Sequence, residues 1–289
     1  MKFSLHKFAL LFSTIIWGSS FVVMKNVTEA ITVPYLLALR FTIGSVFLFL
    51  LCYKQLKYLT KRDIFVGVFI GILLFLGFFV QTVGITDTTP GKNAFLTASY
   101  CVLVPFVYWI VDKKRPDMYS FVAAFMCILG IGLVSLTQAL TIGFGDFWTL
   151  VSSVFYAFHI VAVCKLTKGK NPIVMTFLQL VTSGILSWIV VFMTNGISNM
   201  DITSWISVVL LGLFASGVAM LLQNYGQQGT DASTASLLLS LEAVFGILFS
   251  VLLYHEVVTV KMFIGFACIF GAVIVSETKL SFLKKRGSV

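Results

Sequence analysis

The chain has 289 residues, of which 59% are hydrophobic and only 11% charged, with a formal net charge of +9. Soluble domains carry about 25% charged residues, so the composition excludes a soluble globular protein and predicts an integral membrane protein. The apolar runs are about 20 residues long and unbroken, which excludes a barrel of short alternating strands and predicts an all-α polytopic fold.

Ten transmembrane helices are predicted, at about 8–24, 34–53, 64–83, 91–110, 119–136, 146–164, 172–193, 203–222, 232–253 and 259–276. The first follows Lys2, His6 and Lys7 and mimics a signal peptide, but it lacks a small-residue cleavage site and reads as an uncleaved span. Pro34 opens the second span, Pro172 follows Asn171 at the seventh, and Asp201 precedes the eighth, as helix starts require. The five cysteines lie in or at the edges of apolar spans without a C-x-x-C pair, so neither a disulfide framework nor a zinc site is supported.

Polar residues inside apolar spans are expensive and are candidates for function. Trp17 sits too deep for an interfacial belt; it reads as cavity lining together with Ser20, or as core packing. Arg40 lies six residues into the second span, roughly 9 Å from its start. It reads as an anion contact or cavity charge, or as a side chain that snorkels or pairs with backbone carbonyls. Asn93, Thr97 and Tyr100 share one face of the fourth span, and Tyr156 and His159 share one face of the sixth. His159 reads as a proton relay or as a hydrogen-bonded packing residue. Gln81, Gln179, Gln223 and Gln227 can bind a polar solute or hold helices together. Glu242 stands at the middle of the ninth span. It reads as a proton-exchanging group, as the partner of Arg40 or His159 in an ion pair, or as a neutral hydrogen-bonded acid at a helix crossing. Gly67/Gly71, Gly212/Ser216 and Ala267/Gly271 read as seams of close packing.

With both termini in the cytoplasm, sixteen of the twenty Lys and Arg residues fall on the inner side, among them Lys2, Lys7, Lys113, Lys114, Arg115 and the tail from Lys279 to Arg286. The outer side holds Lys25, Lys92 and Lys261, and Arg40 is within the membrane. This is a strong positive-inside bias; it accounts for the basic charge and removes nucleic acid as a partner. Sliding the chain by 142 residues aligns Gln81 with Gln223, Gly84 with Gly226, Thr88 with Thr230 and Leu96 with Leu238. Five spans per half is an odd number, so the halves insert oppositely, and inverted repeats mark transporters with a site near the midplane. The predicted units are 1–142, 143–278 and a basic cytoplasmic tail at 279–289.

Several stretches in series resemble the drug/metabolite transporter superfamily, in its EamA-like ten-span branch. They are W-G-S-S-F-V-V-M-K at 17–25, L-A-L-R-F at 37–41, the run from Gln81 to Phe106, Y-A-F-H-I-V at 156–161, and Gln223 to Phe245 followed by Glu256. The resemblance implies two inverted five-helix halves that move small organic metabolites such as amino acids, often outward. The pattern departs at Ala243, where the family has proline, at Lys114, where it often has an acid, and at His255, where it has glycine.

Thr86 to Asn93 brushes the phosphate-loop pattern but lacks its first Gly and final Ser or Thr, so it is not an ATP site. No intramembrane protease or hydrolase motif is present. The expected function is a secondary transporter, a probable exporter with alternating access and proton coupling through Glu242 or His159 as an option, with no cofactor and no metal. The alternatives are a non-transporting accessory subunit and, less favoured, a membrane enzyme on lipid-linked substrates. The expected partners are a small solute and the lipid bilayer, as monomer or homodimer, in the cell membrane.

Overall fold

Where no water can serve the peptide groups, each apolar run must close its own backbone hydrogen bonds, and a helix does this within one segment. The computed structural model describes residues 4–113, 115–135 and 142–278. Lys2, Lys114 and the basic tail at 279–289 lie outside the described residues. In chain order the helices are α1 (Leu5–Thr28), α2 (Val33–Cys52) and α3 (Lys61–Thr86), then α4 (Pro90–Thr97) with α5 (Tyr100–Asp112), then α6 (Met118–Ser135). The second half has α7 (Phe144–Leu166), α8 (Pro172–Thr194), then α9 (Ile202–Leu210) continuing through a π-helical segment (Leu211–Val218) into α10 (Ala219–Gln228). It ends with α11 (Ala232–Ser240), α12 (Glu242–Leu253) and α13 (Val260–Thr278). Eight of the resulting crossings are long and apolar enough to span a bilayer, and α6 and α13 supply two shorter apolar helices. The ten expected spans are therefore all present as helices.

The helix starts carry the chemistry that the sequence predicts. Asn171 accepts from the N–H groups of Ile173 and Val174, and Asp201 accepts from that of Ser204. Thr60 and Asp63 form a reciprocal capping box on α3.

Contacts between helices follow an exchange of each crossing with the one five further on. α3 lies along α7, as α1 lies along α10 and the π segment. α3 packs on α8, as α2 packs on the π segment. Aligned crossings also meet each other directly: α2 with α8, α6 with α13, α4 with α12 and α5 with α11. This is a pseudo-two-fold relation, and five crossings per half place its axis in the membrane plane. Two aligned seams, α3–α7 and α1–α10, depend on aligned glycines. A Cβ on Gly84 would stand 2.8 Å from the Gly145 carbonyl oxygen, and one on Gly226 would stand 2.7 Å from that of His6. Of the small-residue seams, Gly67 and Gly71 pack on α8 and Gly212 packs on α2. The α6–α13 seam instead runs through Gly130 and Gly265, and Ala267 faces outward.

The fourth and ninth crossings break at aligned places, after Thr97 and after Ser240. The hydrophobic pattern alone does not show these breaks. The Ser99 hydroxyl bonds back to the Leu96 carbonyl, and the Ser240 hydroxyl bonds back to that of Leu237 at 2.7 Å. Such back-bonds compete with the helix ladder and bend it. The ninth crossing therefore breaks with Ala243 in place of the family's proline. A second aligned pair closes these crossings: Lys113 and His255 both adopt positive φ, at 57° and 55°. A glycine at position 255, which the resemblance leads one to expect, would suit this backbone conformation. His255→Gly is expected to raise stability by about 0.5–1 kcal/mol, by relieving left-handed strain in a side-chain-bearing residue. Urea or SDS unfolding of the purified protein measures this.

Candidate substrate cavity

A cavity lies between the two halves, midway along the crossings. Its walls come from both halves: Trp17, Ser20, Phe21 and Met24 of α1; Arg40 of α2; Leu74, Phe78 and Gln81 of α3; and Thr97 and Tyr100 at the α4–α5 break. From the second half come Tyr156 and His159 of α7, Met220 and Gln223 of α10, and Leu239 and Glu242 flanking the α11–α12 break. The structure thus brings ten of the thirteen sequence-predicted residues to one space.

The π segment positions two of them. A π turn leaves backbone carbonyls without their usual intrahelical partners. The Ala215 carbonyl accepts from the Trp17 indole N–H at 2.9 Å, and the neighbouring Ser216 hydroxyl accepts from Arg40 Nε at 2.8 Å. Arg40 is only 1% exposed, so it does not snorkel. Its Nη1 reaches Met24 Sδ at 3.5 Å, and its guanidinium carbon stands 4.7 Å from the Phe78 ring centroid. Its Nη2 has no hydrogen-bond partner among the described residues.

Opposite runs a neutral chain. The Tyr156 hydroxyl donates to Gln81 Oε1 at 2.8 Å, and Gln81 Nε2 donates to the Thr97 hydroxyl at 2.9 Å. Glu242 begins α12 at the break, is 5% exposed, and lies within hydrogen-bonding reach of Tyr100. Among the described residues it forms no ion pair with Arg40 or His159. That removes one of the three readings of this carboxyl. In transporters with discontinuous helices, half-helix starts lie at the midplane site and point at anionic substrate groups.

Asn93, Gln179 and Gln227 do not line the cavity and act in the layer behind it. Asn93 Nδ2 donates to the Thr149 hydroxyl at 2.7 Å and ties α4 to α7. Gln227 Nε2 donates to the Ile160 carbonyl at 3.4 Å. Gln179 holds His159 in place, with 3.0 Å between Oε1 and the imidazole Nε2. Gln179 Nε2 in turn donates to Asn224 Oδ1 at 2.9 Å, and Asn224 Nδ2 donates to the Met220 carbonyl at 2.9 Å.

Sequence reasoning singled out neither Asn224 nor the role of Ser216. A signal for Asn224 was available, since a carboxamide next to Gln223 inside an apolar span needs a partner. Ser216 was visible only as a small packing residue. Met24, Phe78, Met220 and Leu239 carry no signal at all, because every face of such a helix is apolar.

These features define a membrane protein of ten crossings with a chamber of mixed polar and apolar lining between its two halves. Its sequence matches the EamA-like transporter family twice, over residues 6–136 and 143–278. The chain therefore belongs to the EamA-like transporter family, a family of transporters and not of enzymes. It is 31% identical over 266 residues to an uncharacterized transporter of Archaeoglobus fulgidus, covering 92% of this chain and 83% of that protein. It is 25% identical over 280 residues to the uncharacterized transporter YetK of Bacillus subtilis, covering 91% and 83%. A biotin transporter of Escherichia coli is 24% identical over 173 residues, 56% of this chain and 54% of that protein. A solved crystal structure superimposes with a TM-score of 0.72 at 18% identity, covering 95% of this chain and 97% of the other, and so shares its fold.

Proposed function

We propose that this protein is a secondary transporter that exports small organic metabolites across the cell membrane by alternating access, with the midplane cavity as its binding site and both termini in the cytoplasm. The observation that carries the reading is the cavity itself. Side chains from both inverted halves converge on one buried space, so rocking one half against the other would open it to either side in turn. Ion pairs at the helix ends suit such a device. Lys92 pairs with Asp146 at 2.6 Å at the ends of α4 and α7, and Lys165 with Asp112 and Lys170 with Asp63 at the opposite ends. Opening either side requires some of these pairs to part. Glu242 is the group available to exchange a proton for solute, since it is buried in the cavity without a fixed counter-charge, faced by Tyr100 and Tyr156.

The test is a metabolite screen of cells that overproduce the protein, followed by flux of each hit in vesicles. Saturable flux that responds to a pH jump is expected. An accessory subunit would give no flux from the purified protein alone, and that outcome would overturn the reading.

A further inference from the structure

The breaks after Thr97 and Ser240 divide the fourth and ninth crossings into half-helices, and the two faces of the protein hold these halves differently. At the face away from the N-terminus, outer in the orientation proposed above, α4 and α12 are in direct contact. A Cβ on Gly246 of α12 would stand 2.3 Å from that of Ala94 on α4, and one on Gly18 of α1 would stand 2.3 Å from that of Phe245. Packing this close shuts the α4–α12 seam.

Glu256 fastens that seam. The left-handed turn at His255 folds the chain back after α12, and the Glu256 N–H donates to the Ser250 carbonyl at 3.2 Å. Glu256 Oε1 accepts from the Thr89 hydroxyl, and Oε2 accepts from the Gly91 N–H at 2.9 Å and from the Ser250 hydroxyl. Thr89 and Gly91 stand at the start of α4, where N–H groups without intrahelical partners and the helix dipole favour a negative charge. α4 has an N-cap of its own, since Thr89 Oγ1 accepts from the Lys92 N–H at 3.4 Å. The Glu256 carboxylate is therefore a tie between the two halves of the chain, added to a helix that is already capped.

The opposite face holds the aligned residues apart. Under the 142-residue alignment Gly91 corresponds to Ser233 and Ser250 to Tyr108. Ser233 of α11 and Tyr108 of α5 line a cleft, together with Val104 and Arg115. On α5, Val104 and Tyr108 follow the cavity residue Tyr100 at intervals of one helical turn, so one face of that helix runs from the cavity to the cleft.

We infer that this is the conformer closed at the outer face, and that Glu256 is the latch that keeps it closed. Solute leaves outward only when the carboxylate lets go of Thr89 and Gly91 and α12 swings away from α4 about the Ser240 break. Glu242 is the first residue of α12, so the same swing carries the cavity carboxyl with it. The latch rests on the transport reading for its purpose, but the opening it controls is measurable without any solute.

A thiol reporter reads that opening. In the full-length protein with its five cysteines replaced, Ser20→Cys sets one thiol on the cavity wall. A charged, membrane-impermeant methanethiosulfonate is added to intact cells for the outer face and to inside-out vesicles for the inner one. The latched protein is expected to react at least about tenfold faster from the inner side. Glu256→Ala should raise the outer rate about tenfold or more, the factor by which hydrogen bonds to a charged group shift a two-state equilibrium. Glu256→Gln keeps one acceptor oxygen and should give a smaller rise. Thr89→Val removes a donor from the other side of the clasp and should also raise the outer rate, which keeps the test decisive if the Glu256 variants do not fold. A group that only caps α4 would change stability and leave the ratio of outer to inner rates as it was.

Outer rates that stay at the level of the latched protein in every folded variant would overturn the inference. So would a protein with Glu256 intact that reacts at least as fast from the outer side as from the inner. The expected rise in a protein that shows no flux of any solute would leave the latch standing and remove transport instead.

Discussion

Glu242→Gln is expected to abolish pH-driven accumulation of solute while leaving the protein folded. The carboxyl is buried in the cavity, close to Tyr100, and has no cationic partner among the described residues. Glutamine has the same shape and can still accept from the Tyr100 hydroxyl, so packing at the α11–α12 break is preserved. What glutamine lacks is a proton to exchange. For an exporter that trades one inward proton for one outward solute, solute collects on the acidic side. Vesicles acidified inside by one pH unit should therefore accumulate solute inside up to about tenfold, since one unit of proton gradient is worth about 1.4 kcal/mol. The variant should only equilibrate. Flux in the wild-type protein that ignores the gradient, or a variant that accumulates as well as wild type, would remove Glu242 from energy coupling.

Lys92→Met is expected to cost about 2–3 kcal/mol of stability. Lys92 is the ion-pair partner of Asp146, whose side chain is only 4% exposed, against 22% for Lys92. Removing the cation leaves a carboxylate that is nearly buried, with the Thr88 hydroxyl, 2.6 Å from Oδ1, as its remaining side-chain partner. Breaking one side of a buried pair costs about 3–5 kcal/mol, and the partial exposure of Lys92 lowers this figure. The double variant Lys92→Met with Asp146→Asn should recover most of the loss, because the unpaired charge is gone. SDS or urea unfolding of both variants measures the difference. A single variant as stable as wild type would mean that the pair contributes only surface electrostatics.

Hydropathy and charge made the architecture legible. A strand or a soluble helix has two unlike faces, but these crossings are apolar all round, so length and flanking charge carry the signal and facing does not. The aligned pairs Gln81/Gln223 and Gly84/Gly226 exposed the repeat because a polar or a bare residue stands out against such a background. The same contrast found Arg40, His159 and Glu242. It could not separate cavity wall from the layer behind it, since Gln179 and Gln223 look alike in sequence, and only packing decides that the first braces His159 and the second reaches the chamber. Apolar wall residues such as Phe78 and Met24 were invisible for the complementary reason. The breaks at Ser99 and Ser240 depend on a hydroxyl choosing its own backbone carbonyl, which a serine in an exposed turn would do equally well.

Chemical access to the chamber tests the whole account most directly. In a protein whose five native cysteines have been replaced, Ser20→Cys places a single thiol on the cavity wall. A small water-soluble thiol reagent should modify it, a transported solute should slow that reaction, and the modified protein should lose flux. A thiol that stays unreactive in a protein still able to transport, or a fully modified protein whose flux is unchanged, would contradict a solute path through the space between the two halves.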